Sequence, residues 1–132
     1  MSVAEVEGLK GITRMRVATA EAALAAATGA SGDGTLRFRQ QYVPQQLVGI
    51  ISPWNYPLIL SMIDAITALL AGSAVLAKPS EVTPRFIAPF MAAVAEVEHL
   101  RDVLDYVAGD GETGGWVIDV TDMVVFTGSV PT

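Results

Sequence analysis

No cysteine occurs among the 132 residues. Disulfides, cysteine-held zinc, thiolate-bound iron–sulfur clusters and a cysteine nucleophile within this chain are therefore excluded. A single histidine, His99, leaves no material for a His-rich metal site or a Ser-His-Asp triad, so no metal site is expected. Positive charge is scarce as well: eight Lys and Arg stand against fourteen Asp and Glu, a net charge of -6. Such a field repels phosphate backbones and argues against a nucleic-acid partner. Charge of either sign is missing between Arg39 and Asp64, and only Asp64 interrupts the span up to Lys78. With a mean hydropathy of +0.46, this span raises the question of a membrane. Pro44, Pro53 and Pro57 break any helix through its first part, and Ala65 to Ala77 is too short to cross a bilayer. No positive segment followed by an apolar one opens the chain, so no secretory signal and a cytoplasmic setting are expected.

What is present is a chain that is 52% hydrophobic, enough for one globular core. Val3, Val6, Leu9 and Ile12 recur at helical spacing and lead into an alanine-rich run, which predicts a helix from about Ser2 to Thr28. Ala30 to Thr35 reads as a loop. Leu36, Phe38, Gln40 and Tyr42 alternate with Arg37, Arg39 and Gln41, as in an edge strand with one wet face. The continuous apolar run Leu47 to Ile51 then suits a strand buried on both faces of a parallel sheet.

Regular alternation follows. Ser52 to Pro57 turns the chain, Leu58 to Leu70 has helical periodicity, Gly72 stops it and Ala74 to Ala77 is a second apolar strand. A further helix is expected from Thr83, as cap, and Pro84 to about Leu100. Val103 to Val107 reads as a strand, Gly111 to Asp119 as a helix and Met123 to Phe126 as a last strand. This order predicts an α/β fold: a partial Rossmann-like parallel sheet with right-handed crossover helices, preceded by an N-terminal helix and an edge strand. The domain reading is 1–35 for the N-terminal helix and loop and 36–132 for the α/β unit.

Three local patterns could carry chemistry. Gly109-Asp110-Gly111-Glu112-Thr113-Gly114 matches G-x-G-x-x-G after a strand and at a helix start. That fingerprint belongs on the first strand of its unit, with an acidic residue about 20 positions on. Taken alone, the glycines read first as a tight turn with close helix packing, ahead of pyrophosphate binding. Lys78-Pro79-Ser80-Glu81 follows a strand, where ligands of parallel sheets bind. A carboxylate there can accept from ribose hydroxyls, although a solvated charged turn is the first reading of these four residues alone. Asn55 sits in a proline-flanked turn just past the buried strand. Its carboxamide N–H could serve a developing oxyanion, although asparagine is common in turns for conformational reasons.

In order and at these spacings, Val48 to Leu58, Leu69 to Val75, Lys78 to Pro84, Gly109 to Gly114 and Phe126 to Ser129 closely resemble the coenzyme-binding domain of NAD(P)-dependent aldehyde dehydrogenases. The resemblance runs from about Arg37 to Thr132. It implies that Asn55 helps form the oxyanion hole and that Lys78 and Glu81, with Ser80 between them, hold the adenosine ribose. It also implies that Ile51, Ser52 and Trp54 line the cofactor cleft and that Ser129 contacts the pyrophosphate, with Gly111 among the cofactor-binding residues. The implied cofactor is NAD and the implied substrate of the parent enzyme an aldehyde, such as a semialdehyde or another small aliphatic one. Ser73 stands where the family usually has asparagine, Thr67 where it usually has proline, and Glu98-His99-Leu100 where Gly-Leu-Pro is common. Family members are several times longer, and the nucleophilic cysteine and general-base glutamate motif have no counterpart here. The expectation is thus a fragment of an aldehyde dehydrogenase, inactive alone and prone to self-association or oligomer formation. A non-catalytic dinucleotide-binding or subunit-interaction module is the alternative, and an inert product the third reading.

Overall fold

Parallel strands buried on both faces need runs of apolar residues, and Leu47 to Ile51 within Leu47–Ser52 and Ala74 to Ala77 within Ala74–Pro79 supply them. In the computed structural model, which describes residues 3–129, these segments form the paired centre of a four-stranded parallel sheet. The elements are α1 (Val3–Leu24), β1 (Ala27–Ala30), β2 (Arg37–Gln40), β3 (Leu47–Ser52), α2 (Pro57–Ala71) and β4 (Ala74–Pro79). A 3-10 turn (Pro84–Phe86) follows, then α3 (Ile87–Ala95), β5 (Leu104–Tyr106), α4 (Gly111–Val120) and β6 (Met123–Phe126). The sheet order is β5-β4-β3-β6. The chain thus builds outward from β3 through β4 to β5, then crosses back to set β6 on the other side of β3.

Val48 and Ile50 of β3, Val75 and Ala77 of β4, and Leu104 and Tyr106 of β5 point to one face. There they pack with Leu58, Met62, Ala65 and Ile66 of α2, and α1 lies along α2 behind them. The opposite face receives α4. A side chain at Gly49 would meet Thr121 Oγ1 and Val117 Cγ1, each at 2.9 Å, so the absence of a Cβ lets α4 rest on β3. Gly72, at φ 96°, ends α2 as expected, with its N–H and that of Ser73 returning to the carbonyls of Leu69 and Ala68.

Four sequence expectations need adjustment. The N-terminal helix stops at Leu24, and Ala27–Ala30 is a strand pairing antiparallel with β2. Alanine favours helix locally, but the partners that set these residues lie outside the helix's own span, on β2, and their pairing overrides it. β2 pairs with β1 and not with the parallel sheet, so this two-stranded ribbon spans the boundary expected at residue 35, and β2 is exposed on both faces. Thr83 does not cap α3: its backbone is at φ -132° and ψ 53°, and its side chain makes no cap hydrogen bond. Finally, α3 ends at Ala95 rather than near Leu100. From Val97 onward, hydrogen bonds to the third preceding carbonyl tighten the chain into turns that bring Leu100 against the core.

Exposed apolar side chains gather on α4 and β6, where Trp116, Ile118, Val120, Met123 and Phe126 remain open to solvent. Among the described residues, no helix is long and apolar enough to cross a membrane.

Candidate functional site

The sheet register brings the motif ends level. Lys78 pairs with Ile51, Pro79 with Ser52, and Phe126 with Ile51 from the other side. The carboxyl ends of β3, β4 and β6 therefore open at one height, and the reversal of strand order between β3 and β6 lies among them. In open α/β sheets ligands bind at this switch point. A cleft of about 590 Å³ occupies it, within the roughly 300–1,000 Å³ range of small-molecule sites.

Ile51, Ser52, Trp54 and Asn55 line the cleft from the β3 side, Lys78, Ser80 and Glu81 from the β4 side, and Ser129 from beyond β6. The structure thus brings together all of the site residues expected from sequence except Gly111. Gly111 is the first residue of α4, after β5, and is not among the cleft residues. The N–H groups of Glu112 and Thr113 are already taken by the Asp110 carboxylate, at 3.1 and 3.4 Å. The Gly109–Gly114 segment is therefore a self-capped helix start, and its amides do not form an open phosphate cradle. The sequence offered a signal for this, an aspartate immediately before the first helical residue.

Lys78 is 6% exposed along its side chain, and its Nζ lies 3.3 Å from Glu81 Oε2, whose own side chain is 59% exposed. The buried end of β4 thus carries an ammonium whose outer neighbour is a solvent-facing carboxylate. Glu81 is held below the usual carboxylate range, first by its own backbone N–H and then by Lys78, while Asp110 pushes weakly the other way. Ser52 Oγ is buried and has no hydrogen-bond partner among the described residues. A buried hydroxyl at a ligand cleft without a partner marks a place where a bound polar group would be satisfied. The Asn55 side chain is exposed and makes no hydrogen bond to the described residues. Its N–H is therefore free to donate to a ligand.

The backbone around Asn55 is held from two directions. Tyr56 is in the left-handed region at φ 48° and ψ 53°, a conformation that costs about 1–2 kcal/mol outside glycine. Pro57 has no N–H, and the Leu60 N–H returns to the Tyr56 carbonyl at 3.0 Å. The two remaining free amides of this first turn, Leu58 and Ile59, donate to Glu5 Oε1 of α1 at 2.8 and 3.2 Å. A buried carboxylate 53 residues away thus caps α2. Upstream, Thr83 Oγ1 donates to the Trp54 carbonyl at 3.0 Å. Sequence reasoning missed both contacts, because neither partner is local.

An open, doubly wound parallel layer with a small-molecule cleft at its switch point defines the class. Within that class the chain belongs to the aldehyde dehydrogenase family, whose family model matches residues 1–132. A Mycolicibacterium smegmatis protein named as a succinate-semialdehyde dehydrogenase, with NADP(+) in its name, is 39% identical over 100 residues, covering 75% of this chain and 19% of that protein. A 4,4'-diapolycopene aldehyde oxidase of a Methylomonas species is 42% identical over 90 residues, or 67% of this chain and 17% of that protein. Among solved structures, one from Anabaena variabilis described as an aldehyde dehydrogenase, PutA, superposes with a TM-score of 0.92 at 46% identity. That match covers 98% of this chain and 28% of the other. An NAD-dependent aldehyde dehydrogenase from Sinorhizobium meliloti gives a TM-score of 0.84 at 30% identity, over 97% of this chain and 26% of the other. The chain thus spans about a fifth of the length of the curated relatives it matches.

Proposed function

We propose that the cleft is the NAD site of an aldehyde-oxidising enzyme and that this chain contributes its cofactor-binding strands and half of its oxyanion hole. The observation that carries the reading is the convergence, at one switch point, of the Lys78–Glu81 pair, the unpartnered Ser52 hydroxyl and the free Asn55 carboxamide. Lys78 and Glu81 would hold the adenosine ribose, Ser52 and Trp54 the wall beside the cofactor, and Ser129 the pyrophosphate. NAD, when bound, supplies the hydride acceptor. Asn55 would donate to the oxygen of the aldehyde as negative charge grows there, which lowers the barrier to attack by a nucleophile. With no cysteine in the sequence, that nucleophile would come from outside these residues. The name of the Mycolicibacterium smegmatis relative supports a semialdehyde as substrate.

The relatives' names include both NAD and NADP(+). Glu81 favours NAD, because a carboxylate accepts from a ribose 2'-hydroxyl and repels a 2'-phosphate. Solvent screening of the exposed Glu81 weakens this repulsion and leaves a preference of roughly tenfold in affinity. Calorimetric titration tests the reading. The chain is expected to prefer NAD by about tenfold, and Glu81→Gln to erase most of that preference. Equal affinities in the unaltered chain would refute it. A second reading, a dinucleotide-binding module without turnover, is favoured by the lack of cysteine and is distinguished by binding without chemistry.

A further inference from the structure

The two lips of the cleft are separate loops, Pro53 to Tyr56 after β3 and Ser80 to Thr83 after β4. Among the described residues, a single hydrogen bond joins them, from Thr83 Oγ1 to the Trp54 carbonyl at 3.0 Å. Thr83 also closes the turn that carries Glu81: its N–H donates to the Ser80 carbonyl at 3.3 Å, and the Val82 N–H donates to Ser80 Oγ at 3.3 Å. The carbonyl it holds belongs to the residue immediately before Asn55. Sequence alone assigns Thr83 to helix capping, but its backbone is not in a capping conformation and its hydroxyl turns to the other loop instead.

We infer that Thr83 is a positioning residue that couples occupancy of the Lys78–Glu81 end of the cleft to the placement of the Trp54-Asn55 turn. The inference rests on the nucleotide reading of the cleft. A ligand that engages Lys78 and Glu81 orders the Ser80–Thr83 turn, and the hydroxyl of Thr83 transmits that order to the Trp54 carbonyl. Serine in place of Thr83 retains the donor. Valine retains the shape and removes the donor, leaving the Trp54 carbonyl without this partner.

The test uses 5'-AMP, which carries the adenosine ribose and one phosphate. The sequence has two tryptophans, and Trp116 lies on α4, outside the cleft residues. A Trp116→Phe background therefore lets Trp54 emission report on the turn. In that background AMP binding, measured by calorimetry, is expected to change Trp54 emission. Thr83→Val is expected to bind AMP nearly as well while its emission response falls about fivefold, the equilibrium weight of one neutral hydrogen bond, and Thr83→Ser is expected to keep the response. An undiminished response in Thr83→Val, or an equal loss in Thr83→Ser, overturns the coupling. Loss of AMP binding itself in Thr83→Val also overturns it, because the residue would then act only within the binding turn. A parent chain that does not bind AMP by calorimetry overturns the nucleotide reading and the inference with it.

Discussion

Removing the Glu5 carboxylate tests whether α1 helps to hold the site. Glu5 is 5% exposed, and its Oε1 accepts both amides of the first turn of α2 that have no helical partner. Tyr56, at the cap position, offers no side-chain hydrogen bond, and Pro57 has no amide to satisfy. In Glu5→Ala, two amides in a buried helix start lose their acceptor at about 1–3 kcal/mol each, partly offset because a carboxylate no longer has to be dehydrated. The expected net loss is about 2–4 kcal/mol. Glu5→Gln keeps an acceptor oxygen and loses the charge that favours a helix N-terminus, an expected loss of about 1 kcal/mol. Urea unfolding followed by far-UV circular dichroism measures both, with each kcal/mol corresponding to roughly 3–5 °C in thermal midpoint for a chain of this size. Ala and Gln variants that both remain within about 0.5 kcal/mol of the unaltered chain would refute the cap.

Gly49→Ala is expected to destabilise by about 1–3 kcal/mol in the same assay, because its methyl group would lie 2.9 Å from Val117 Cγ1 and Thr121 Oγ1 and force α4 off β3. Burial drives the pKa of the Tyr106 phenol above its ordinary value of 10.0, with the Ser61 hydroxyl working weakly against it. A raised value means stability that is full below about pH 10 and is lost as pH rises above it, toward the folded-state value. Unfolding measured at pH 9 and pH 11 should therefore show a steeper alkaline loss in the unaltered chain than in Tyr106→Phe; equal slopes would count against the burial argument. The 132-residue chain is expected not to produce NADH from aldehydes, because hydride leaves readily from a carbon that a thiolate has attacked and the chain has no cysteine. Aldehyde-dependent turnover above background that vanishes in Asn55→Ala would show that another nucleophile completes the site.

The elements that sequence revealed are those whose cause is local. Leu47 to Ile51 is apolar at every position because β3 is covered on both faces, and Gly72 adopts the positive φ that ends a helix. Asn55, Lys78 and Glu81 each read alone as turn residues, and it was the resemblance carried by the ordered motifs that singled them out; the parallel register converts that order into proximity. Contacts between distant residues were not legible. β1 is alanine-rich and becomes a strand only by pairing with β2, and Glu5 looks like an ordinary first-turn glutamate of α1 until α2 is laid across it. Thr83-Pro84 has the composition of a helix start, but the Trp54 carbonyl competes for its hydroxyl and wins. The G-x-G-x-x-G match was informative about packing and not about ligand, since the position between its first two glycines is an aspartate that consumes the amides a phosphate would need.

The most direct test of the account is to map NAD onto the chain by amide chemical-shift perturbation. Shifts are expected to concentrate at Ser52 to Asn55, Lys78 to Glu81 and Thr127 to Ser129, the three loops that meet at the switch point, with Gly111 to Gly114 affected little. Shifts centred on the Gly111–Gly114 turn, or on the apolar groove between α1 and α3 lined by Leu9, Thr13 and Phe90, would contradict it.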